Sequence, residues 1–172
     1  MGKKLIIRNA DFYQNCIDKT RDYLLNITDA AFNAQTEVVS WGQSPYKNAF
    51  SEQLNVIPAN TVIAGVRIKT NSAGTIPVYV ASFASNTSVG TDFIKIADIV
   101  ISQTGIISDF LFPTPVTILS NQCIVFGDPI NGSQNAGKFY YGAGPSNLRL
   151  STDGNLHWQV STMPLGVDYI LG

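Results

Sequence analysis

The chain has 172 residues, of which 45% are hydrophobic and only 13% charged, with 11 basic and 12 acidic side chains and a formal net charge of −1. A chain of this length buries a core without disulfide staples. The near balance of charge gives no positive face for a nucleic acid, and no apolar run approaches the roughly 20 residues that cross a bilayer. Polarity comes instead from 14 Asn, 14 Ser and 13 Thr, a composition that suits strands, turns and neutral surfaces.

In chain order, residues 1–33 read as an N-terminal arm and residues 34–172 as a β-rich domain. The arm opens on a short strand, Lys4 to Arg8, followed by a turn or helix start at Asn9 to Phe12. Leu5 to Ile7 is too short for an export signal, and Ile6 stands where an N-myristoylation signal needs Ser or Thr. Asp18 to Asn33 carries most of the charge density, with a short helix expected at Asp29 to Asn33.

Period-two patterning dominates the rest. In Thr61 to Thr70, Val62, Ala64, Val66 and Ile68 are expected on one face, opposite Arg67 and Lys69. After a turn at Asn71 to Thr75, Pro77 to Phe83 returns with Val78 and Val80 on one face and Tyr79, Ala81 and Phe83 on the other. Further strands are expected at Phe93 to Ser102, Ile106 to Phe112, Val116 to Leu119, Gln122 to Phe126, Lys138 to Gly142, Leu156 to Val160 and Val167 to Leu171. Gln103 to Gly105, Pro113 to Pro115, Asp128 to Gly137 and Asp153 to Asn155 read as turns. The sum is an all-β fold: a two-sheet antiparallel β-sandwich, jelly-roll-like, with a short N-terminal arm.

Lys4, Leu5, Ile6, Ile7 and Arg8 followed by Ala10, Asp11 and Phe12 resemble a segment of modular proteins from Bacteroidetes bacteria and their tailed phages. Asn60 to Val80, with its two strands and small turn, is similar to the first core hairpin of β-sandwich modules on phage fibres and surface glycan-active proteins. Together these segments touch a small part of the chain, and neither is catalytic. The resemblance implies a virion-associated or surface-associated sandwich. In such modules the N-terminal segment anchors to another protein, and homodimers or homotrimers are usual.

Candidate chemistry is sparse. His157 is the sole histidine, with Asp153 and Asp168 as candidate orienters and Ser151 and Ser161 as candidate nucleophiles, but no Gly-x-Ser-x-Gly elbow is present. Glu37 and Glu52 are the only glutamates, and the aspartates are scattered, so no carboxylate pair of a glycosidase stands out. Cys16 and Cys123 sit among apolar neighbours, as buried thiols do. Asp128 and Asn131 lie on a loop that could hold calcium, although no regular EF-hand is present. Accordingly no catalytic residue, metal or cofactor is expected.

A sugar site needs flat aromatic faces beside planar amides. Tyr140 and Tyr141 are adjacent on a strand after a loop offering Asn131 and Asn135; Trp158 with Gln159, and Trp41, complete the candidate glycan-binding set. Large apolar side chains on both faces of Phe93 to Val100 and of Ile106 to Phe112 argue for an interface between copies, or for cover by the arm.

The sequence reading is therefore a non-catalytic structural and adhesion protein of a phage virion, a fibre or head-decoration component assembled in the host cytoplasm. It is expected to form homo-oligomers, to contact other virion proteins through its arm and host-surface glycans through its loops, and to bind neither nucleic acid nor the membrane interior. The alternatives are a carbohydrate-binding module of a secreted or cell-surface glycan-degrading system and, as a minor case, an esterase or glycanase.

Overall fold

A computed structural model describes residues 21–34, 37–40, 49–51, 56–70, 73–85, 88–127, 138–141, 147–151, 159–164 and 166–172. Among these residues one short helix, α1 (Asp29–Asn33), precedes twelve strands: β1 (Glu37–Ser40), β2 (Ala49–Ser51), β3 (Thr61–Lys69), β4 (Gly74–Ser85), β5 (Ser88–Val89), β6 (Ile94–Ile101), β7 (Ile107–Ile118), β8 (Gln122–Gly127), β9 (Lys138–Tyr141), β10 (Asn147–Ser151), β11 (Gln159–Pro164) and β12 (Val167–Leu171). The larger sheet runs β11-β10-β2-β8-β4, with β5 and β6 both pairing to β4. The smaller sheet runs β12-β3-β7, and β1 pairs with β9 in a separate ribbon.

The connectivity is that of a rolled hairpin. Counting inward from Tyr23 of the arm and from β12, Tyr23 bridges Ile170 of β12, β2 pairs with β8, β3 with β7, and β4 with β6, all antiparallel. Nested pairs of this kind, folded so that they alternate between two facing sheets, make a jelly roll. The β-sandwich expected from the strand pattern is therefore present, and β9, β10 and β11 are additions between its last two strands.

The core lies between the sheets. Ile63, Val66 and Ile68 of β3 and Val167 and Tyr169 of β12 meet Ile76, Val78 and Val80 of β4, Ile99 of β6, and Ile124 and Phe126 of β8. Alternation along β4 also builds a second apolar cluster on the opposite face of the larger sheet. Tyr79, Ala81 and Phe83 are buried there with Val89, Cys123 and Val125, and Phe93 closes edge-on to Tyr79 at 6.0 Å between ring centroids. The Cys123 thiol points to the Ala81 carbonyl at 3.7 Å, which agrees with its reading as a buried thiol.

Local chemistry explains the element boundaries. Thr28 caps α1, its hydroxyl accepting from the Ala31 amide at 3.2 Å. Asn60 and Asn121 adopt left-handed backbone in the turns that launch β3 and β8, a conformation Asn tolerates better than most residues. The Asp92 carboxylate accepts from the Ser82 amide at 2.9 Å and the Ser82 hydroxyl at 2.7 Å. These bonds hold its pKa below the ordinary value and tie the β5–β6 connection to β4.

Two expectations are corrected. Val62 and Ala64 do not share the buried face of β3: Val62 is exposed while Ile63 is fully buried, because the register jumps between Ile63 and Gly65. Such a bulge resets the alternation, so that only Val66 and Ile68 follow the expected phase. Pro113 to Pro115 is not a turn between two strands but part of one continuous β7. Ile63 pairs with Val116 and Gly65 with Leu111, so the prolines fall in the stretch that this register skip leaves out of the ladder.

Candidate functional site

The described part of the arm is laid on the smaller sheet. Leu24 donates its amide to the Tyr169 carbonyl and Leu171 donates to the Asp22 carbonyl, both at 2.9 Å, so the arm covers the outer edge of β12. Asp168, 1% exposed, anchors the turn that follows. Its Oδ1 accepts from the amides of Leu25 and Tyr169, each at 2.8 Å, and its Oδ2 accepts from the Ile27 amide at 2.7 Å. Both oxygens of this carboxylate are thus engaged by backbone amides, so the side chain holds the arm's backbone against β12.

Next to this anchor lies a charged cluster. Asp109, near the start of β7, receives the Arg21 guanidinium at 2.7 Å and the Tyr23 hydroxyl at 2.9 Å on the same oxygen. Arg67 of β3 sits between them. Its guanidinium carbon is 4.9 Å from the Tyr23 ring centroid and 5.8 Å from that of Phe32, stacking geometry in which a cation is attracted to the ring faces. Arg67 also pairs with Asp29 of α1. Its Nε is buried without a hydrogen-bond partner, 3.9 Å from Asp109 Oδ1. Lys69 reaches the Asn33 side chain at 3.3 Å. Phe32, fully buried, makes α1 an apolar plug among these charges.

The cluster sets the Tyr23 phenol above its ordinary pKa of 10.0, first through burial, then through its hydrogen bond to Asp109 and the charge of that carboxylate, with Arg67 and Arg21 pulling the other way. Because the folded state holds this proton more tightly than the unfolded state, the associated stability is present below pH 10 and is lost as the pH rises through the raised value. Between about pH 9 and pH 11 the thermal midpoint of the wild type is therefore expected to fall more steeply than that of Tyr23→Phe. Parallel slopes in a pH series of melting curves would count against this coupling.

The candidate sugar-binding residues fall differently. Tyr140 and Tyr141 belong to β9, opposite Val38 and Glu37 of β1, whereas Gln159 opens β11 opposite Leu150 of β10 in the larger sheet. The backbone thus puts the tyrosines and the glutamine in different sheets. Trp41, Asn131, Asn135 and Trp158 lie outside the described residues, as do His157, Asp153 and the Asp128 to Gly137 loop. Among the described residues no group of three or more His, Cys, Asp or Glu is placed to hold a metal ion, and no helix is long and apolar enough to cross a membrane.

The other candidate feature is an exposed apolar set. Ile94 and Val100 on β6 are both 63% exposed, Leu111 on β7 is 57% exposed, and Val62, Ile106 and Leu119 are also open. In the strands with apolar residues on both faces, Ile99 and Phe112 face inward, while Ile94, Val100 and Leu111 are exposed.

The arm's clamp was not singled out by motif. Its available signal was charge in the wrong place: Asp109 and Asp168 each interrupt an apolar strand, where an acidic residue needs a dedicated partner. Comparison with protein-family models, with curated proteins and with solved structures finds no match.

Proposed function

We propose that the chain is a non-catalytic structural protein of a phage virion, a fibre or head-decoration component whose sandwich associates with further copies of itself. The observation that carries self-association is the set of large apolar side chains left open on β6 and β7, on a chain whose surface has few charges to oppose contact. The virion setting draws on the resemblance of Lys4 to Phe12 and of Asn60 to Val80 to segments of phage and surface modules. Supporting the structural role, the described ionisable residues of the clamp are engaged with one another or with backbone amides.

Sedimentation velocity on the full chain tests the reading. The expected result is a species of at least twice the 18.6 kDa protomer mass, and antibody raised against the chain should label purified particles. A monomer that binds one polysaccharide and loses it on Trp158→Ala or Tyr140→Ala would replace this proposal with a carbohydrate-binding module.

A further inference from the structure

We propose that residues 21–34 form a strap that lifts from the smaller sheet as one unit while the sandwich stays folded, baring the outer edge of β12. The inference concerns a single copy and stands apart from self-association.

The strap is tied to three strands at once. Asp168 of β12 takes the amides of Leu25 and Ile27, Asp109 of β7 takes the side chains of Arg21 and Tyr23, and Arg67 of β3 faces the Tyr23 and Phe32 rings and pairs with Asp29. Arg67 thereby links the start of the strap to its helix, so that loss of either end withdraws a partner from the other. Nor can α1 persist by itself, since its five residues fall far short of the roughly 12–15 that an isolated helix needs. The strap therefore opens all-or-none. The sandwich has ties of its own: β3 pairs with β12 along one edge and with β7 along the other. Ile27 and Phe32, the buried apolar side chains of the strap, are not members of the core cluster between the sheets, against which Leu24 and Leu25 pack while partly buried. Lifting the strap leaves those ladders and that cluster closed, which places its free energy below that of global unfolding.

Backbone direction gives this opening a signature. The Leu171 amide donates to the Asp22 carbonyl of the strap, and the Tyr169 carbonyl accepts from Leu24. Successive residues of an antiparallel strand turn their polar groups to opposite neighbours, so Ile170, which pairs with Gly65, directs its amide to β3. Lifting the strap unprotects Leu171 and spares Ile170, whereas fraying of the end of β12 unprotects both.

Native-state hydrogen exchange on the full chain is the test. The amides of Leu24, Leu25, Ile27, Phe32, Ala34 and Leu171 are expected to share one opening equilibrium and to exchange at least about 100-fold faster than the slowest amides of β4 and β8, with Ile170 slower than Leu171. Tyr23→Phe removes one hydroxyl from the Asp109 end and should speed all of these strap-linked amides by one common factor of about tenfold, those of α1 included. Ile124→Val trims the core between the sheets and should speed the slowest amides of β4 and β8 by about three- to tenfold while leaving the strap-linked amides unchanged, because that packing survives when the strap lifts. Strap amides that quicken with Ile124→Val as the core does open only with the whole molecule and overturn the proposal. A response to Tyr23→Phe confined to residues beside position 23, or equal exchange of Ile170 and Leu171, overturns it as well.

Discussion

Asp168→Ala is expected to lower stability by about 3 kcal/mol, which for a chain of this size is a fall of about 6–12 °C in thermal midpoint. The cost lies in the donors left behind. The wild-type carboxylate, 1% exposed, takes the amides of Leu25, Ile27 and Tyr169 at 2.7 to 2.8 Å. Alanine removes every one of these acceptors in a site with little access to water, and each buried amide without a partner costs about 1–3 kcal/mol. Asp168→Asn should fall between the two, since its amide keeps one acceptor but turns an NH2 group toward a backbone N–H. Hydrogen exchange localises the effect: the amides of Leu24, Leu25 and Ile27 should lose protection first, because the arm is held by this residue and by Asp109 more than by its own short helix. A variant that melts within a degree of wild type, with those amides still protected, would show that the arm docks without the carboxylate.

The sandwich was legible in the sequence because its strands obey a period of two and its turns use the residues that turns require. β3, β4, β6, β8 and β12 stand where alternation placed them, and Asp29–Asn33 is the expected helix. β1, β2, β5 and β10 were not visible in the pattern. They are two to five residues long, too short to complete an alternation, and each is a strand because a longer neighbour offers it an edge. The error at Val62 has a different origin. A bulge is a property of two paired strands, and no reading of β3 by itself could show that β7 brings extra residues to the pairing. The clamp was hidden for a similar reason: Arg21, Tyr23, Arg67 and Asp109 are brought together only when the arm returns to a sheet whose strands are distant in sequence. Composition did point to the exposed apolar set, since strands apolar on both faces ended with Ile94, Val100 and Leu111 in the open.

That same bulge makes Gly65→Ala the most direct probe of the fold. Gly65 has no positive φ to explain it, so on conformational grounds alone alanine should stabilise by about 0.4–1 kcal/mol, through the reduced freedom of the unfolded chain. Packing reverses the sign. A Cβ at this position would stand 2.3 Å from the Phe110 carbonyl oxygen and 2.9 Å from the Leu111 Cα. These are backbone atoms of β7, and β3 cannot retreat from them because β12 is paired along its other edge. Relief therefore requires the two strands to part where the register already skips. The expected loss is about 2–3 kcal/mol, or about 5–10 °C in midpoint. Gly105→Ala provides the comparison, with φ of +75° and nothing within 4 Å of the added Cβ, so it carries backbone strain of about 1 kcal/mol and no clash. If Gly65→Ala proves neutral or stabilising while Gly105→Ala destabilises, the close approach of β3 and β7 is wrong. The phase change that exposes Val62 and buries Ile63 would then lose its cause.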